Sequence, residues 1–242
     1  KKRPYTLVHF LQESGYYTVF AAPGTTYLFD DWTEVFPFDR YIIRGDFGYE
    51  GPFLSFGAMP DQFFLECIRR FMVQIQTGGE QVGKNPQTDP QQPVFIEALL
   101  STSHTPFDVV PAYIEDWTML GDGSIYGELE SRFYDNGWLS GNEYPEGYTD
   151  SMRYVLTSIT DFAVKYLDTD DLLFIMGDHQ PRYPVLEQGA GREVPVHVLV
   201  KDRELLEPWH EAGFIPGLIP DQKGFRFGME TFFPLLMEVS EN

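Results

Sequence analysis

An apolar run in the second half of the chain places the strongest constraint on its fold. Residues 172–176 read Leu-Leu-Phe-Ile-Met, which predicts a buried β-strand because a fully buried strand is apolar on both faces. Gly177 ends the run, and Asp178 and His179 follow it directly. In an open α/β sheet, ligands bind just beyond the carboxyl ends of the strands. The sequence therefore predicts an acid and an imidazole side by side at such an edge.

The Asp178-His179 pair predicts a metal site. A carboxylate oxygen and an imidazole nitrogen at one point in space suit divalent metals such as zinc or manganese. The alternative is a turn in which Asp178 accepts a backbone N–H and His179 faces water. The apolar strand before the pair, and the Gln-Pro sequence after it, favour the metal site.

The alternation of strands and helices along the chain predicts the fold class. Strands are predicted over residues 16–22, 94–100, 172–176 and 194–200. Helices are predicted over residues 5–13 and over residues 228–239, the latter with an interruption at Pro234. Three further helices are predicted to begin at Asp61, after a cap at Thr149 or Asp150, and after a cap at Asp202. Such alternation favours an α/β fold with a mostly parallel sheet and helices on both faces. His104 and His179, which both follow strands, would then lie at the same edge.

Composition and charge exclude some partners. The formal net charge of −20 leaves little positive charge to displace the counterions of a nucleic acid, so we expect no nucleic-acid partner. An anionic substrate would need a local cation to overcome the repulsion from this negative charge. The single cysteine, Cys67, lies in an amphipathic stretch and is expected to be a small buried apolar residue. No apolar run approaches membrane-spanning length.

We expect residues 1–242 to form one α/β domain. Residues 77–93 are rich in glycine, proline and polar side chains, which predicts a mobile exposed loop. A core strand follows that loop directly, so the loop is not expected to be a domain boundary. The chain starts abruptly at Lys1, close to its first predicted element, which indicates a domain truncated at its N-terminus.

Four motifs, taken in order, resemble a known family. They are Leu-Gln-Glu-Ser-Gly-Tyr-Tyr-Thr-Val at residues 11–19, Ser-His-Thr-Pro-Phe at 103–107, Leu-Leu-Phe-Ile-Met-Gly-Asp-His-Gln-Pro at 172–181, and Val-Pro-Val-His-Val at 194–198. This order resembles the sulfatase-like branch of the alkaline phosphatase superfamily, above all its membrane-anchored sulfatases and lipoteichoic-acid-synthase-like phosphotransferases. The resemblance covers nearly the whole chain and implies an alkaline-phosphatase-like sandwich.

The resemblance implies a metal-dependent hydrolase or transferase that acts on sulfate or phosphate esters of envelope glycans or lipids. It implies Asp178 and His179 as ligands of a divalent metal (manganese, calcium, magnesium or zinc). It implies that His104 contacts the transferred group or a second metal, with a neutral His104 donating a hydrogen bond to the developing charge; the alternative is a loop histidine bonded to backbone. The implied location is extracytoplasmic in a bacterial envelope, with the membrane reached only through upstream segments.

The chain also departs from this family. Members carry a Ser, Thr or Cys nucleophile and an acidic metal ligand upstream of the Gly-Tyr-x-Thr strand, and no residue here matches that motif. The acid of the family's Tyr-Thr-Asp pattern is missing, because the long helix reads Tyr154-Val155-Leu156, and Arg192-Glu193 stands where a histidine is frequent. Half a metal site is therefore expected. The alternative function is a catalytically incomplete domain with a binding or structural role in an envelope protein.

Several other side chains carry weaker signals. A calcineurin-like metallophosphoesterase, with its Gly-Asn-His motif, is a further enzyme class, but it predicts an early Asp-x-His and a Gly-Asp-x-x-Asp that this chain lacks. Arg182 is either an anion partner or an exposed surface residue, and His197 is expected to pack within its strand. Aromatic side chains that either line a substrate cleft or pack under a long loop are Trp117, Trp138 and Tyr148.

Overall fold

The structure is a computed structural model that describes residues 4–54, 57–77, 92–128, 143–181, 183, 185–186, 189, 191–219 and 225–240. The chain divides into two compact units, residues 1–161 and 162–242. The expectation of a single domain stays a prediction. Most of the predicted mobile loop, residues 78–91, lies outside the described residues, as do Trp138 and Arg182.

The first unit contains a parallel three-stranded sheet. Its strands are β1 (Tyr17–Ala22), β2 (Arg40–Ile43) and β3 (Val94–Ala98), in the order β2-β1-β3. All six residues of β1 are buried. Because successive side chains of a strand point to opposite faces, both faces of the central strand must be covered. The predicted α/β class with a parallel sheet is confirmed.

Two short helices accompany the sheet. Helix α1 (Leu7–Glu13) ends before Gly15, whose φ of +88° suits the residue after a helix, as the sequence predicted. Helix α2 (Asp30–Val35) was not predicted as a separate element. An aromatic and aliphatic cluster packs here, made of Val8, Phe20, Ala22 and Phe38 with Leu28, Trp32, Phe36, Tyr41 and Phe95 around it.

The threonine of the Gly-Tyr-x-Thr motif holds the sheet together. Thr18 is fully buried, and its backbone N–H and its hydroxyl both donate to Asp39 Oδ2 at 2.8 Å. The N–H of Asp39 donates in return to Thr18 Oγ1 at 3.1 Å. These bonds tie the start of β1 to the residue that precedes β2, so the motif has a structural role in this chain.

Two long helices follow, and the second extends past residue 161, where the first unit ends. Helix α3 (Asp61–Thr77) buries an apolar face that includes Phe64 and Ile68, as its periodicity predicted. Helix α4 runs over Glu143–Tyr166, so the predicted cap at Thr149 or Asp150 is wrong. Pro145 is tolerated because the first-turn N–H groups of a helix lack intrahelical partners.

The second unit contains a two-stranded antiparallel sheet of β4 (Leu173–Met176) and β5 (Val196–Leu199), with Ile175 opposite His197. A parallel neighbour was expected for β4. Antiparallel strands need only a loop between them, whereas parallel strands need a crossover that usually contains a helix. The described residues between β4 and β5 contain no helix. All four residues of β4 are half-buried rather than fully buried.

Helical segments pack beside this sheet. Asp202 caps the turn Arg203–Leu206 by accepting the N–H of Glu204 at 3.0 Å, as predicted. Helix α5 (Glu207–Glu211) follows and buries Trp209 against Phe174, with ring centroids 5.0 Å apart. Helix α6 (Phe232–Ser240) contains Pro234 in its first turn, so the predicted interruption is wrong. Among the described residues, no helix has the length and apolarity to cross a membrane.

Candidate functional site

The loop after β4 turns two polar side chains toward one point. Asp178 Oδ1 accepts the backbone N–H of His179 at 2.9 Å. Its other oxygen, Oδ2, lies 3.6 Å from His179 Nε2. The Asp178 side chain is 84% exposed and that of His179 is 67% exposed, so both are open to a ligand. The turn of the second alternative is present, because Asp178 accepts a backbone N–H and His179 is exposed, whereas the metal site stays a prediction.

The position of the His179 ring is compatible with a metal ligand. His179 Nδ1 lies 2.8 Å from the carbonyl oxygen of Gln180. A carbonyl only accepts, so a neutral ring that donates from Nδ1 to this carbonyl would keep its lone pair on Nε2, the nitrogen that faces Asp178. Histidines that bind metals are typically oriented in this way, by donation from the other ring nitrogen to a carbonyl or carboxylate.

The segment before β5 supports this loop. The amide of Gln180 donates to the carbonyl oxygen of Glu193. A Cβ at Gly177 would lie 3.3 Å from the Val194 side chain, so the backbone approaches this segment closely. The Glu193 carboxylate pairs with Arg226 at 2.9 Å, but both side chains are exposed and the pair contributes little.

The loop that carries His104 is clamped to the start of α3. Asp61 is fully buried, and its Oδ1 and Oδ2 accept the backbone N–H groups of Ser101 at 2.8 Å and Thr102 at 3.0 Å. The N–H of Asp61 donates to Thr102 Oγ1 at 3.1 Å. The N–H of His104 donates to the carbonyl of Ser101 at 3.0 Å and closes a turn. The sequence suggested Asp61 only as the start of a helix.

Burial controls the ionisation of the groups around this clamp. It raises the pKa of Asp61 to about 6, against the opposing effect of the hydrogen bonds from Ser101 and Thr102. Burial also raises the pKa of Tyr126 to about 12 and that of Tyr154 well above its usual value. Both phenols therefore stay neutral at physiological pH, with their hydroxyl groups 3.4 Å apart.

The ring of His104 is oriented by its neighbour. Its Nδ1 lies 2.6 Å from the carbonyl oxygen of Thr105, and the residue is exposed. A ring protonated at Nδ1 would donate to that carbonyl, since a carbonyl only accepts. The expectation that a neutral His104 donates a hydrogen bond to the transferred group stays a prediction.

Helix α4 holds the far end of the same loop. Thr105 Oγ1 lies 2.6 Å from the hydroxyl of Tyr144. Phe107 is buried and packs edge-on against the rings of Tyr144 and Tyr148, with centroids 5.4 and 5.3 Å away. Tyr148 thus packs under the loop. Trp117 is 2% exposed and donates to Asp161 at 2.7 Å, which also makes it a packing residue.

The other histidines have separate surroundings. His9 Nδ1 accepts the N–H of Thr6 at 3.3 Å at the start of α1. His197 and His210 line a cavity of about 180 Å³ in the second unit, together with apolar side chains. Cys67 is half-buried, and burial raises the pKa of its thiol to about 12, so it is not a reactive thiolate.

His104 belongs to the first unit, whereas Asp178 and His179 belong to the second. Their expected position at a common edge stays a prediction. Within the part of the chain that the structure describes, no group of three or more His, Cys, Asp or Glu side chains is placed to hold a metal ion. Among these residues, Asp178 and His179 therefore form a candidate ligand pair but not a complete site.

Comparison with known proteins identifies the fold. No protein-family model matches the sequence, and no curated protein matches it. A crystal structure of a protein in the alkaline phosphatase superfamily from Vibrio parahaemolyticus is similar, with a TM-score of 0.50 and 20% identity, over 82% of this chain and 41% of that one. The predicted resemblance to the alkaline phosphatase superfamily is thus confirmed at the level of the fold.

A second similar structure is the lipoteichoic acid synthase LtaP from Listeria monocytogenes. It matches with a TM-score of 0.48 and 17% identity, over 74% of this chain and 37% of that one. The chain thus spans about two fifths of the length of the solved structures that it matches.

Proposed function

We propose that this chain is part of a metal-dependent enzyme that hydrolyses or transfers sulfate or phosphate esters. The observation that supports the proposal most is the arrangement of Asp178 and His179. A carboxylate oxygen and an imidazole nitrogen lie 3.6 Å apart, and both side chains are exposed. The likeness of fold to a protein in the alkaline phosphatase superfamily supports ester chemistry.

The donor set fits a divalent cation. Calcium and magnesium prefer oxygen ligands throughout, whereas zinc and manganese accept imidazole readily, so the pair favours the latter two among the four candidates. Asp178 and His179 supply two ligands, and a four-coordinate site needs at least two more. A bound cation would polarise a non-bridging ester oxygen and lower the pKa of the attacking hydroxyl.

We propose that the exposed ring of His104 donates a hydrogen bond to the charge that develops on the transferred group. The contact of Nδ1 with the Thr105 carbonyl oxygen, at 2.6 Å, orients the ring for this role.

The substrate and location follow from the resemblance of the motifs. We propose ester-bearing glycans or lipids of the bacterial envelope as substrates and an extracytoplasmic location. Envelope substrates are accessible from that side of the membrane.

An activity assay with a matched control tests the proposal. The full-length protein and its Asp178→Ala variant would be compared with p-nitrophenyl sulfate and p-nitrophenyl phosphate as substrates, in the presence of Mn²⁺ or Zn²⁺. Loss of a ligand should lower kcat/KM by about 100-fold or more. Mutation of the groups that only hydrogen bond to metal ligands already costs about 10- to 100-fold in activity. Asp170→Ala, which changes an exposed acid of the same unit, should retain activity.

Each outcome of that assay has a distinct meaning. Equal cleavage by the parent and Asp178→Ala would contradict the proposed metal site. Absence of cleavage by both proteins would support the alternative, a catalytically incomplete domain with a binding role.

A further inference from the structure

A buried carboxylate at the start of α3 is directed away from its own helix. An aspartate at the N-cap of a helix normally accepts the N–H groups of the first turn, but Asp61 is the first residue inside α3. Asp61 instead uses one oxygen for the N–H of Ser101 and the other for the N–H of Thr102, 40 and 41 residues further along the chain. Capping of α3 therefore does not account for this side chain.

The clamp fixes two consecutive peptide units. The two carboxylate bonds and the return bond from the Asp61 N–H to Thr102 Oγ1 join the same pair of residues. Burying a carboxylate is costly unless its oxygens are hydrogen bonded, so loss of either bond would be unfavourable. The Ser101–Thr102 backbone consequently has a single position relative to α3.

His104 lies one turn beyond this fixed point. Its N–H donates to the carbonyl of Ser101 at 3.0 Å. Next along the chain, Thr105 Oγ1 is hydrogen bonded to the hydroxyl of Tyr144 at 2.6 Å. The exposed imidazole is therefore presented by a loop that is fixed at both ends.

We infer that Asp61 is a positioning residue for His104, which it holds through Ser101 and Thr102 in the orientation needed to meet the transferred group. The inference rests on the proposed function for the chemical role of His104. The placement of the ring can be measured without any activity. Displacement of a reacting group by about 1 Å costs about 100-fold in rate, so loss of the clamp is expected to affect the reaction as well as stability.

Histidine NMR tests the placement directly. The chain contains five histidines, so isotope labelling of histidine gives few ring signals, and the loss of one signal in His104→Gln assigns His104. In Asp61→Asn, the side-chain NH2 faces a backbone N–H and one clamp bond is lost. We expect the ring signals of His104 to shift and broaden while those of the other histidines keep their positions.

Asp39→Asn is the matched control. Asp39 also accepts hydrogen bonds from a backbone N–H and a hydroxyl, both of Thr18, which lies near the start of β1. This variant should lose stability without moving the His104 signals. If Asp61→Asn also lowers Tm but leaves the His104 signals unchanged, Asp61 only stabilises the fold and the inference is wrong.

A second pair of variants covers the case in which Asp61→Asn does not fold. Thr102→Val removes the hydroxyl that accepts the Asp61 N–H, and Thr102→Ser restores it. The His104 signals should move in Thr102→Val and return in Thr102→Ser; identical signals in both variants would overturn the inference.

Kinetics of the full-length protein separate this inference from the proposed function. Thr102→Val should lower kcat by about 10- to 100-fold with little change in KM. Full activity of His104→Gln would contradict the role of His104 in the proposed function. The NMR result would still decide whether Asp61 positions the ring.

Discussion

At the scale of single residues, burial decides what Asp61 and Asp178 do. Asp61 is fully buried and each of its oxygens accepts a backbone N–H, whereas Asp178 is 84% exposed beside an imidazole. The sequence predicted the Asp178-His179 pair because the two residues are neighbours that follow an apolar strand. It could not predict the role of Asp61, because the partners of Asp61 are 40 and 41 residues away.

The stability of the protein should depend on the ionisation of Asp61. Burial raises its pKa from 3.8 to about 6, so the folded state holds this proton more tightly than the unfolded state. The stabilisation from this group is complete below about pH 3.8 and is lost as the pH rises through about 6. Urea unfolding at several pH values between about 4 and 7 measures this decline.

Asp61→Asn provides the comparison for that measurement. Asparagine does not titrate, so the free energy of unfolding of this variant should lack the part of the decline that Asp61 causes. Identical pH dependence in the parent and the variant would show that Asp61 keeps an ordinary pKa in the folded protein.

At the scale of elements, short-range patterns predicted the existence of most helices and strands but not all of their ends or pairings. The beginning of α4 was misplaced because Thr149 and Asp150 are residue types that cap helices, although Pro145 before them is tolerated in a first turn. The partner of β4 was misassigned because an apolar strand has the same pattern in parallel and antiparallel sheets. Strand β2 reads Arg-Tyr-Ile-Ile and lacks the longer apolar run that predicted β4.

A buried carboxylate in α3 binds two arginines of the same helix. Glu66 is almost fully buried and binds Arg69 at 2.6 and 2.7 Å and Arg70 at 2.8 Å, while Arg70 also donates to the Gly121 carbonyl at 2.8 Å. Glu66→Ala should destabilise the protein by about 2 kcal/mol. This loss is smaller than the loss of about 3–5 kcal/mol that follows when a fully buried pair is broken, because the arginines are partly exposed.

Asp150→Ala is the control for Glu66→Ala. It removes the exposed pair of Asp150 with Arg153 in α4, which should contribute at most about 0.5 kcal/mol. Denaturant unfolding of both variants compares the two. Equal losses of stability would show that the burial of Glu66 adds nothing.

At the scale of the whole molecule, the net charge bears on the proposal of a metal at Asp178 and His179. The fold resembles that of an alkaline phosphatase superfamily protein, although the chain spans only 41% of that structure. A net charge of −20 favours the binding of cations and opposes that of anionic esters. A cation at Asp178 and His179 would attract an ester despite this field, so the proposed function depends on a metal at this pair.

The position of a bound metal tests that dependence most directly. Crystals of the protein would be soaked in zinc and the ion located by anomalous scattering at its absorption edge. We predict a peak at about 2.0–2.2 Å from both Asp178 Oδ2 and His179 Nε2, lost in Asp178→Ala. A peak elsewhere, or none at saturating zinc, would contradict the proposed metal site.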